Sequence, residues 1–426
     1  MNTPFCPPDG PILNEATWTF VRQHANDDVR HLALSGTKNP EVDVTMALQQ
    51  IQGRQTARQK LPTWASCKDV VFPPHLSMEQ CSSEQTALYK ALLVAGFEQD
   101  STSEVQGGRP FLVDLTGGLG VDFFFMARRL AQPCIYVEQQ EHLCRLAYHN
   151  FQVLGLSQAT VVHADCEEFL QQLDRAEVIF LDPARRDSHG ARTYAISDCT
   201  PDVLQLLDTL LDKCRVLVIK LSPMLDWHKA VDDLNHCGQN ALQVVREVHI
   251  VSVANECKEL LLVLSRQPRY AGEPLLCCVN DNQRFTTSLY APPFPLNTLP
   301  FTLNVSPSAY LYEPNASVMK AGCFTALAQA YQLKALAPNS HLFVSSVPVD
   351  SFPGRRFLIR QVSTLNHKEI SHALKGVTQA NVAVRNFPLK AEELRRRLKL
   401  RDGGTTYVFG TTLNDGRRVV ILCTRI

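Results

Sequence analysis

Residues 111–122 of the chain read FLVDLTGGLGVD, and this stretch indicates how the sequence around it folds. A short apolar run ends at Asp114, and the turn that follows contains Gly117, Gly118 and Gly120. A glycine-rich turn between a strand and a helix lets the backbone approach a ligand closely, because glycine has no Cβ. The spacing is not the G-x-G-x-x-G of dinucleotide-binding folds. The alternative reading is a glycine-rich connection in an unrelated α/β protein.

Short apolar runs rich in β-branched residues alternate with helical or polar segments from this turn onward, which predicts a parallel sheet with helices on both faces. Two later runs, 241–253 and 258–266, have no long helix between them and predict an antiparallel hairpin. Parallel strands that end in an antiparallel pair are expected of a class I methyltransferase rather than a nicotinamide dehydrogenase. The predicted parallel strands are FLVDLT (111–116), CIYVE (134–138), TVVHA (160–164), EVIFLD (177–182) and RVLVIKL (215–221).

Acidic residues stand at the ends of four of these predicted strands. Asp114 opens the glycine-rich turn, where a carboxylate suits a ligand with an ammonium group and repels a pyrophosphate. S-adenosylmethionine fits, since it has an amine, a carboxylate and no phosphate. Glu138 follows about twenty residues later, where an acid binds ribose hydroxyls, and Asp165 is suited to accept from an adenine amino group. Asp182 and Pro183 end the fourth strand, where catalysis or substrate contact is expected.

Motifs spread over nearly the full chain carry a resemblance to a known family. They are MEQCSSEQTALYKA (78–91), DLTGGLGVD (114–122), FLDPARR (180–186), IKLSPMLD (219–226), NECKELL (255–261), YEPNASVMKAG (312–322) and FPGRRF (352–357). Residues 111–265 look like a class I S-adenosylmethionine-dependent methyltransferase. The whole chain resembles a family of bacterial methyltransferases with a ferredoxin-like domain and a THUMP-like C-terminal domain.

The resemblance implies an α/β, Rossmann-like methyltransferase core with a C-terminal antiparallel hairpin, together with α+β ferredoxin-like and THUMP-like domains. We expect an N-terminal helical domain at 1–105, the methyltransferase domain at 106–267, the ferredoxin-like domain at 268–345 and the basic THUMP-like domain at 346–426. THUMP domains occur in RNA-modifying enzymes, so the resemblance implies structured RNA, tRNA or rRNA, as the substrate.

The DPAR sequence at 182–185 bears on which kind of atom the chain would methylate. Methyltransferases of base amino groups usually have Asn/Asp-Pro-Pro and an aromatic residue that stacks on the flipped base, and here Ala184 and Arg185 replace the second proline and the aromatic. Uridine-C5 enzymes need a cysteine nucleophile after the fifth strand, whereas this chain has Lys220 and Ser222 there. Serine is a poor nucleophile without an activating base, so methylation of a nitrogen or an oxygen is favoured.

These observations assign residues to three roles. The catalytic candidates are Asp182, Pro183 and Arg185. The cofactor-binding candidates are Asp114, Thr116, Gly117, Gly118, Gly120, Asp122, Glu138 and Asp165. The candidates for substrate or RNA binding are Arg186, Lys220, Ser222, Arg355, Arg356, Arg395 and Arg396.

The charge of the chain is unevenly distributed. Over the whole chain, 42 Lys and Arg balance 42 Asp and Glu, but residues 351–426 contain 15 basic residues against five acidic ones. A basic C-terminal module is what an RNA-binding arm requires. A solvated basic face is the alternative explanation.

Composition excludes several classes of protein. The chain has 426 residues, 45% hydrophobic and 20% charged, which argues against a mainly disordered protein. Its 14 cysteines are scattered, apart from Cys277-Cys278, without any C-x-x-C pair, so we expect neither a disulfide framework nor a metal. No apolar run approaches the ~18 residues of a membrane helix, and we expect a cytoplasmic protein. A protein or small-molecule methyltransferase and a non-catalytic RNA-binding factor remain as alternatives.

Overall fold

The computed structural model describes residues 3–8, 10, 12–35, 39–99, 109–185, 195–237, 243–267, 272–290, 296, 298 and 309–426. The chain divides into two compact units. The first unit comprises Met1–Arg246 with Leu260–Gly272, and the second comprises Glu247–Glu259 with Glu273–Ile426. None of the helices in the described ranges has the length and apolar character of a membrane-spanning segment.

The first unit begins with helices whose starts are set by polar side chains. Asn14 accepts a hydrogen bond from the Thr17 N–H (2.8 Å), and Asp43 accepts one from the Met46 N–H (3.0 Å). Each cap satisfies a backbone donor that the helix itself leaves free. The N-terminal segment is therefore helical, as the sequence predicts. Its helices are α1 (Glu15–Gln23), α2 (Val29–Ser35), α3 (Val44–Lys60), α4 (Pro62–Ser66), α5 (His75–Gln80) and α6 (Glu84–Gln99).

Strands and helices then alternate along the chain. The strands are β1 (Leu112–Asp114), β2 (Cys134–Glu138), β3 (Ala159–His163), β4 (Ala176–Leu181), β5 (Ala184–Arg185), β6 (Cys199–Thr200), β7 (Cys214–Leu221), β8 (Val245–Val253) and β9 (Glu256–Leu264). The helices among them are α7 (Val121–Ala127), α8 (Glu141–Val153), α9 (Cys166–Gln172), α10 (Val203–Lys213) and α11 (Trp227–His236), with a short 3₁₀ turn at Ile196–Asp198.

The sheet of the first unit has the order β3-β2-β1-β4-β7-β9. Strands β3, β2, β1, β4 and β7 are parallel, and β9 runs antiparallel to β7. Nearly every residue of β4 and β7 is buried, as expected for parallel strands covered on both faces. This arrangement confirms the predicted Rossmann-like core.

The chain passes from β8 to β9 through a turn at Ala254 and Asn255. Both residues have positive φ, 50° and 62°. A two-residue turn with two left-handed residues is the connection that joins antiparallel strands. The hairpin predicted between residues 241 and 266 is therefore present.

The second unit contains two sheet regions. In one, β8 is parallel to β10, which pairs antiparallel with β11. The other has the order β13-β14-β12-β15-β18-β17-β16. The strands are β10 (Leu275–Asn280), β11 (Gln283–Ser288), β12 (Tyr310–Pro314), β13 (Lys334–Ala335), β14 (Phe343–Ser345), β15 (Gly354–Thr364), β16 (Asn381–Arg385), β17 (Thr406–Thr412) and β18 (Arg418–Arg425). The helices are α12 (Ala316–Ala321), α13 (Phe324–Ala330), α14 (His367–Ala373) and α15 (Ala391–Arg397).

Strand β18 shows how the larger of these sheets is covered. Val419 and Ile421 belong to one buried cluster, whereas Val420 and Leu422 belong to another. Because successive side chains of a strand point to opposite faces, both faces of the sheet are buried at β18. The unit is thus of mixed α+β type, which agrees with the predicted fold class.

Candidate functional site

The glycine-rich turn after β1 is packed tightly against β2. The Gly117 N–H donates to the Val137 carbonyl (2.9 Å), and the Tyr136 hydroxyl donates to the Gly118 carbonyl. A Cβ at position 117 would lie 2.2 Å from Cε2 of Tyr136, and one at Gly120, whose φ is +83°, would lie 2.8 Å from an atom of the Phe151 ring. Only glycine fits these two positions without a rearrangement. The turn therefore brings bare backbone to the carboxyl end of the sheet.

Glu138 is held against this turn at the end of β2. Its Oε2 accepts from the Gly118 N–H (2.8 Å) and its Oε1 from the Gln140 N–H (2.9 Å). The side chain is buried, with 7% of the residue exposed. A carboxylate oxygen accepts more than one hydrogen bond, so both oxygens keep the capacity to bind ligand hydroxyls.

Asp114 lies at the end of β1 and is fully buried. Its carboxylate accepts from the Thr116 N–H (3.0 Å). Burial raises the pKa of Asp114 well above its usual range. The hydrogen bond from the Thr116 N–H lowers this pKa, but by less than burial raises it. The neighbouring carboxylates of Asp122, Asp182 and Glu138 raise this pKa further. Negative charge is therefore crowded at this edge of the sheet, and a cationic ligand would relieve the repulsion.

Asp165 has a structural role in addition to its position after β3. Its carboxylate caps α9 by accepting from the N–H groups of Glu167 (2.8 Å) and Glu168 (3.3 Å). The residue is exposed. The cap uses Oδ1 of Asp165. The contact with an adenine amino group stays a prediction, and it would involve Oδ2.

Asp182 follows β4 and is tied to the glycine-rich turn. Its backbone N–H donates to Oγ1 of Thr116 (2.7 Å). Its carboxylate, 40% exposed, accepts from the Lys220 ammonium group at 2.7 Å. The glycine-rich turn, the end of β4 and the ion pair thus meet at Asp182, which brings a carboxylate and an ammonium group together beside the turn.

Lys220 belongs to a buried ion-pair network that the sequence analysis missed. Lys90 of α6, which is completely buried, pairs with Oδ1 of Asp122 (3.2 Å), and Lys220 pairs with Oδ2 of the same carboxylate (3.2 Å). Ser82 donates to Asp122 (2.8 Å). Burial raises the pKa of Asp122, but the two ammonium groups outweigh burial and hold that pKa below its ordinary value. Asp122, a predicted cofactor ligand, therefore serves here to join α6, α7 and β7.

One signal in the sequence pointed to this network. Lys90 interrupts the apolar run of α6, which reads ALYKALLVAG from residue 87 to 96. A lysine is almost never fully buried unless it is paired. The sequence predicts a partner for Lys90 on this ground, but it does not identify Asp122.

The remaining candidates after β4 and β7 are Pro183, Arg185, Arg186 and Ser222. Pro183 is buried. Arg185 lies in β5, which pairs with β6, but its side chain and the whole of Arg186 lie outside the described residues. Ser222 follows β7, where its hydroxyl accepts from the Met224 N–H (3.3 Å).

The predicted RNA-binding arginines of the second unit are mostly engaged in ion pairs. Arg355 binds the buried Glu313 carboxylate with a hydrogen bond of 2.8 Å, and Arg385, which is not one of the predicted RNA-binding residues, binds the same carboxylate at 2.8 Å. Arg356 donates to the Asp350 carboxylate (3.0 Å). These side chains stabilise the unit, and the contact of Arg355 and Arg356 with RNA stays a prediction.

Three basic residues in and just after α15 are exposed, unlike Arg355 and Arg356. Arg395 is 3.6 Å from Asp402. Arg396, Arg397 and Lys399, by contrast, are exposed. The exposed cations of this helix are therefore better placed than Arg355 and Arg356 to meet a polyanion.

Comparison with protein families gives two matches. Residues 310–353 match a ferredoxin-like domain, and residues 354–425 match a THUMP domain-like model. The matches meet between Pro353 and Gly354, at the start of β15. A comparison with curated protein sequences found no match.

Among solved structures, the chain is similar over nearly its whole length to a "putative methyltransferase from Porphyromonas gingivalis W83", with 31% sequence identity and a TM-score of 0.79. The alignment covers 96% of this chain and 97% of that chain. A SAM-dependent methyltransferase from Agrobacterium tumefaciens is 16% identical over 43% of this chain and 62% of its own, with a TM-score of 0.31. An rRNA methylase from Streptococcus thermophilus is 16% identical over 41% of this chain and 94% of its own, with a TM-score of 0.29. TM-scores this low support no conclusion about this chain from the last two structures.

Proposed function

This chain belongs to the class I S-adenosylmethionine-dependent methyltransferase family that carries a ferredoxin-like domain and a THUMP-like C-terminal domain, and we propose that it methylates a nitrogen or oxygen of a nucleotide in tRNA or rRNA. The observation that carries this proposal is the acidic, glycine-lined edge of the sheet beside the Asp182–Lys220 pair. The THUMP-like match supports RNA as the substrate.

The residues at the glycine-rich turn fit S-adenosylmethionine. The buried Asp114 carboxylate would pair with the ammonium group of the donor, and Glu138 would accept from its ribose hydroxyls. Gly117 and Gly120 let the turn pack against the rings of Tyr136 and Phe151, and this packing holds the turn backbone where it would face the donor. The donor supplies a methyl group on a positively charged sulfonium, and the crowded carboxylates stabilise that charge.

Glu138→Ala should weaken the affinity for S-adenosylhomocysteine about ten- to a hundred-fold, because hydrogen bonds to a charged group contribute roughly 1.5–3 kcal/mol. Isothermal titration calorimetry measures this change. Glu167→Ala, which removes an exposed acid from α9, is the matched control and should bind like the wild type. Unchanged affinity in a folded Glu138→Ala variant would remove Glu138 from the cofactor site.

RNA binding should depend on the exposed cations of the basic module. A deletion of residues 346–426 is a poor test, because β12 pairs with β15 and would lose its neighbour in the sheet. Point variants leave this sheet intact. The exposed residues Arg396, Arg397 and Lys399 at the end of α15 are the suitable positions.

The triple variant Arg396→Gln, Arg397→Gln, Lys399→Gln should bind total tRNA more weakly, with a shallower salt dependence. Each lost phosphate contact reduces the log–log slope by roughly 0.7 for single strands. Fluorescence anisotropy at several salt concentrations measures both quantities. A control that removes as many exposed cations elsewhere is Arg30→Gln, Lys229→Gln, Lys258→Gln. Equal losses in both triple variants would show a non-specific charge effect, and no loss in the first would argue against this helix as an RNA contact.

Mass spectrometry of nucleosides in total RNA tests the proposed function directly. We expect one methylated nucleoside to be missing from cells that lack the gene and to return when purified protein and S-adenosylmethionine are added to that RNA. If the protein binds the cofactor but methylates no RNA, a protein or small-molecule acceptor, or a non-catalytic RNA-binding role, becomes the better explanation. The domain boundaries at 105/106, 267/268 and 345/346 also stay proposals.

A further inference from the structure

The ion pair at the end of β4 bears on which atom is methylated. The Lys220 ammonium group lies 2.7 Å from Oδ2 of Asp182. The Asp182 side chain is 40% exposed, whereas that of Lys220 is 13% exposed. A group that hydrogen-bonds to Asp182 from the open side therefore comes within reach of a fixed positive charge.

We propose that the methylated atom is a hydroxyl oxygen, which in RNA is the ribose 2′-hydroxyl, bound to Asp182 on the open side of the Asp182–Lys220 pair. The inference rests on the proposed function and names the acceptor of that same site. The sequence analysis left a nitrogen and an oxygen as possible methyl acceptors, and the proposal selects the oxygen.

The sign of the developing charge carries this inference. An amine nitrogen becomes positive as it takes up a methyl group, and an ammonium group a few ångströms away opposes that change. A hydroxyl oxygen becomes more negative as its proton leaves, and the same ammonium group stabilises it. Lys220 therefore favours a hydroxyl acceptor and disfavours an amine.

The network behind Lys220 keeps this charge in place. Its ammonium group also contacts Asp122 (3.2 Å) and Ser82 (3.1 Å). Lys90 occupies the other oxygen of Asp122. The two lysines and the carboxylates of Asp122 and Asp182 balance in formal charge. A preorganised positive charge of this kind needs no rearrangement when the acceptor oxygen gains charge.

The reaction forms one bond to the methyl carbon, breaks another and moves one proton. The hydroxyl oxygen forms its bond to the methyl carbon as the carbon–sulfur bond breaks, and the electron pair of that bond remains on sulfur. The hydroxyl proton passes to Oδ1 of Asp182, and from this half-exposed carboxyl it is released to water. Lys220 keeps its proton and its contacts with Asp182, Asp122 and Ser82, and its positive charge stabilises the acceptor oxygen.

Alkaline hydrolysis of labelled RNA tests the proposal. Full-length protein is incubated with total tRNA and rRNA from cells lacking the gene and with methyl-labelled S-adenosylmethionine. A 2′-O-methyl group blocks alkaline cleavage of the adjacent phosphodiester, so the label should appear in alkali-stable dinucleotides. Label in mononucleotides with a methylated base would overturn the hydroxyl acceptor and leave RNA methylation standing. Absence of label from RNA would overturn both.

Variants of Lys220 give a second, independent test. Lys220→Met should transfer methyl groups about a hundred-fold more slowly, the effect of losing one positive group that stabilises a developing oxyanion, and Lys220→Arg should recover part of the rate. Calorimetry with S-adenosylhomocysteine, and RNA binding without donor, should show affinities within about twofold of the wild type, since only the chemical step is affected. Lys229→Met, which removes an exposed lysine paired with Asp233, is the control for each measurement. A Lys220→Met variant that methylates at the wild-type rate or faster would overturn the proposal.

Discussion

Asp182→Ala should lower the rate of methyl transfer about a thousand-fold and leave the affinity for S-adenosylhomocysteine nearly unchanged. The carboxylate is the group at the end of β4 that would accept the acceptor's proton, and a positioned acid or base contributes typically about 10²–10⁴-fold. Its loss also removes the 2.7 Å partner of Lys220. Asp114 and Glu138, the proposed cofactor residues, lie on other strands and keep their contacts with the glycine-rich turn.

Single-turnover transfer to the RNA acceptor and calorimetry with the cofactor product separate these two effects. Asp233→Ala is the matched control, because it removes an aspartate of α11 that pairs with the exposed Lys229 at 2.9 Å. It should behave like the wild type in both measurements. Wild-type turnover in Asp182→Ala would show that the acceptor binds elsewhere.

Asp122→Ala should destabilise the protein by about 3–5 kcal/mol. The substitution leaves Lys90 without its carboxylate at a site where none of its side chain is exposed. Removing one member of a buried ion pair strands an uncompensated charge, whereas replacing both members with apolar side chains is often close to neutral. The double variant Lys90→Met, Asp122→Leu should therefore recover most of the loss. Urea unfolding of the three proteins measures it, and equal stability of Asp122→Ala and the wild type would contradict the buried pair.

The pH dependence of this contribution has a definite sign. The pKa of Asp122 in the folded protein is lower than its ordinary value of 3.8, because the ammonium groups of Lys90 and Lys220 outweigh burial. A carboxyl with a lowered pKa stabilises the folded state at pH values above its unfolded pKa, and that contribution is lost as the pH falls through the folded pKa. The difference in stability between the wild type and Asp122→Ala should therefore shrink below about pH 4.

The main features of the proposed cofactor site could be predicted from local sequence. Asp114, Glu138 and Asp182 each end a short apolar run, and parallel strands bring their carboxyl ends to one edge of a sheet. Topology alone therefore collects these acids around the glycine-rich turn, as the structure shows. Asp165 also lies where its strand predicts, but its use as a helix cap depends on where α9 begins.

The basic module shows the limit of counting charges along the chain. The excess of Lys and Arg after residue 350 is visible in the sequence. Arg355 is nevertheless engaged by Glu313, which lies 42 positions earlier in the chain and is buried in β12. The pairing of β12 with β15 makes this contact, so which cations remain exposed depends on strand register rather than on composition.

By itself, the sequence determined the alternation of strands and helices, the glycine-rich turn and the order of the strand-end acids, since each depends on residues within a few positions of one another. The tertiary structure alone decided the partners of Lys220, because Asp182 and Asp122 lie 38 and 98 positions away. Burial makes such pairs strong and costly to break, yet it leaves no periodic pattern in the chain. The positive charge beside Asp182, on which the proposed hydroxyl acceptor depends, is therefore a property of the fold.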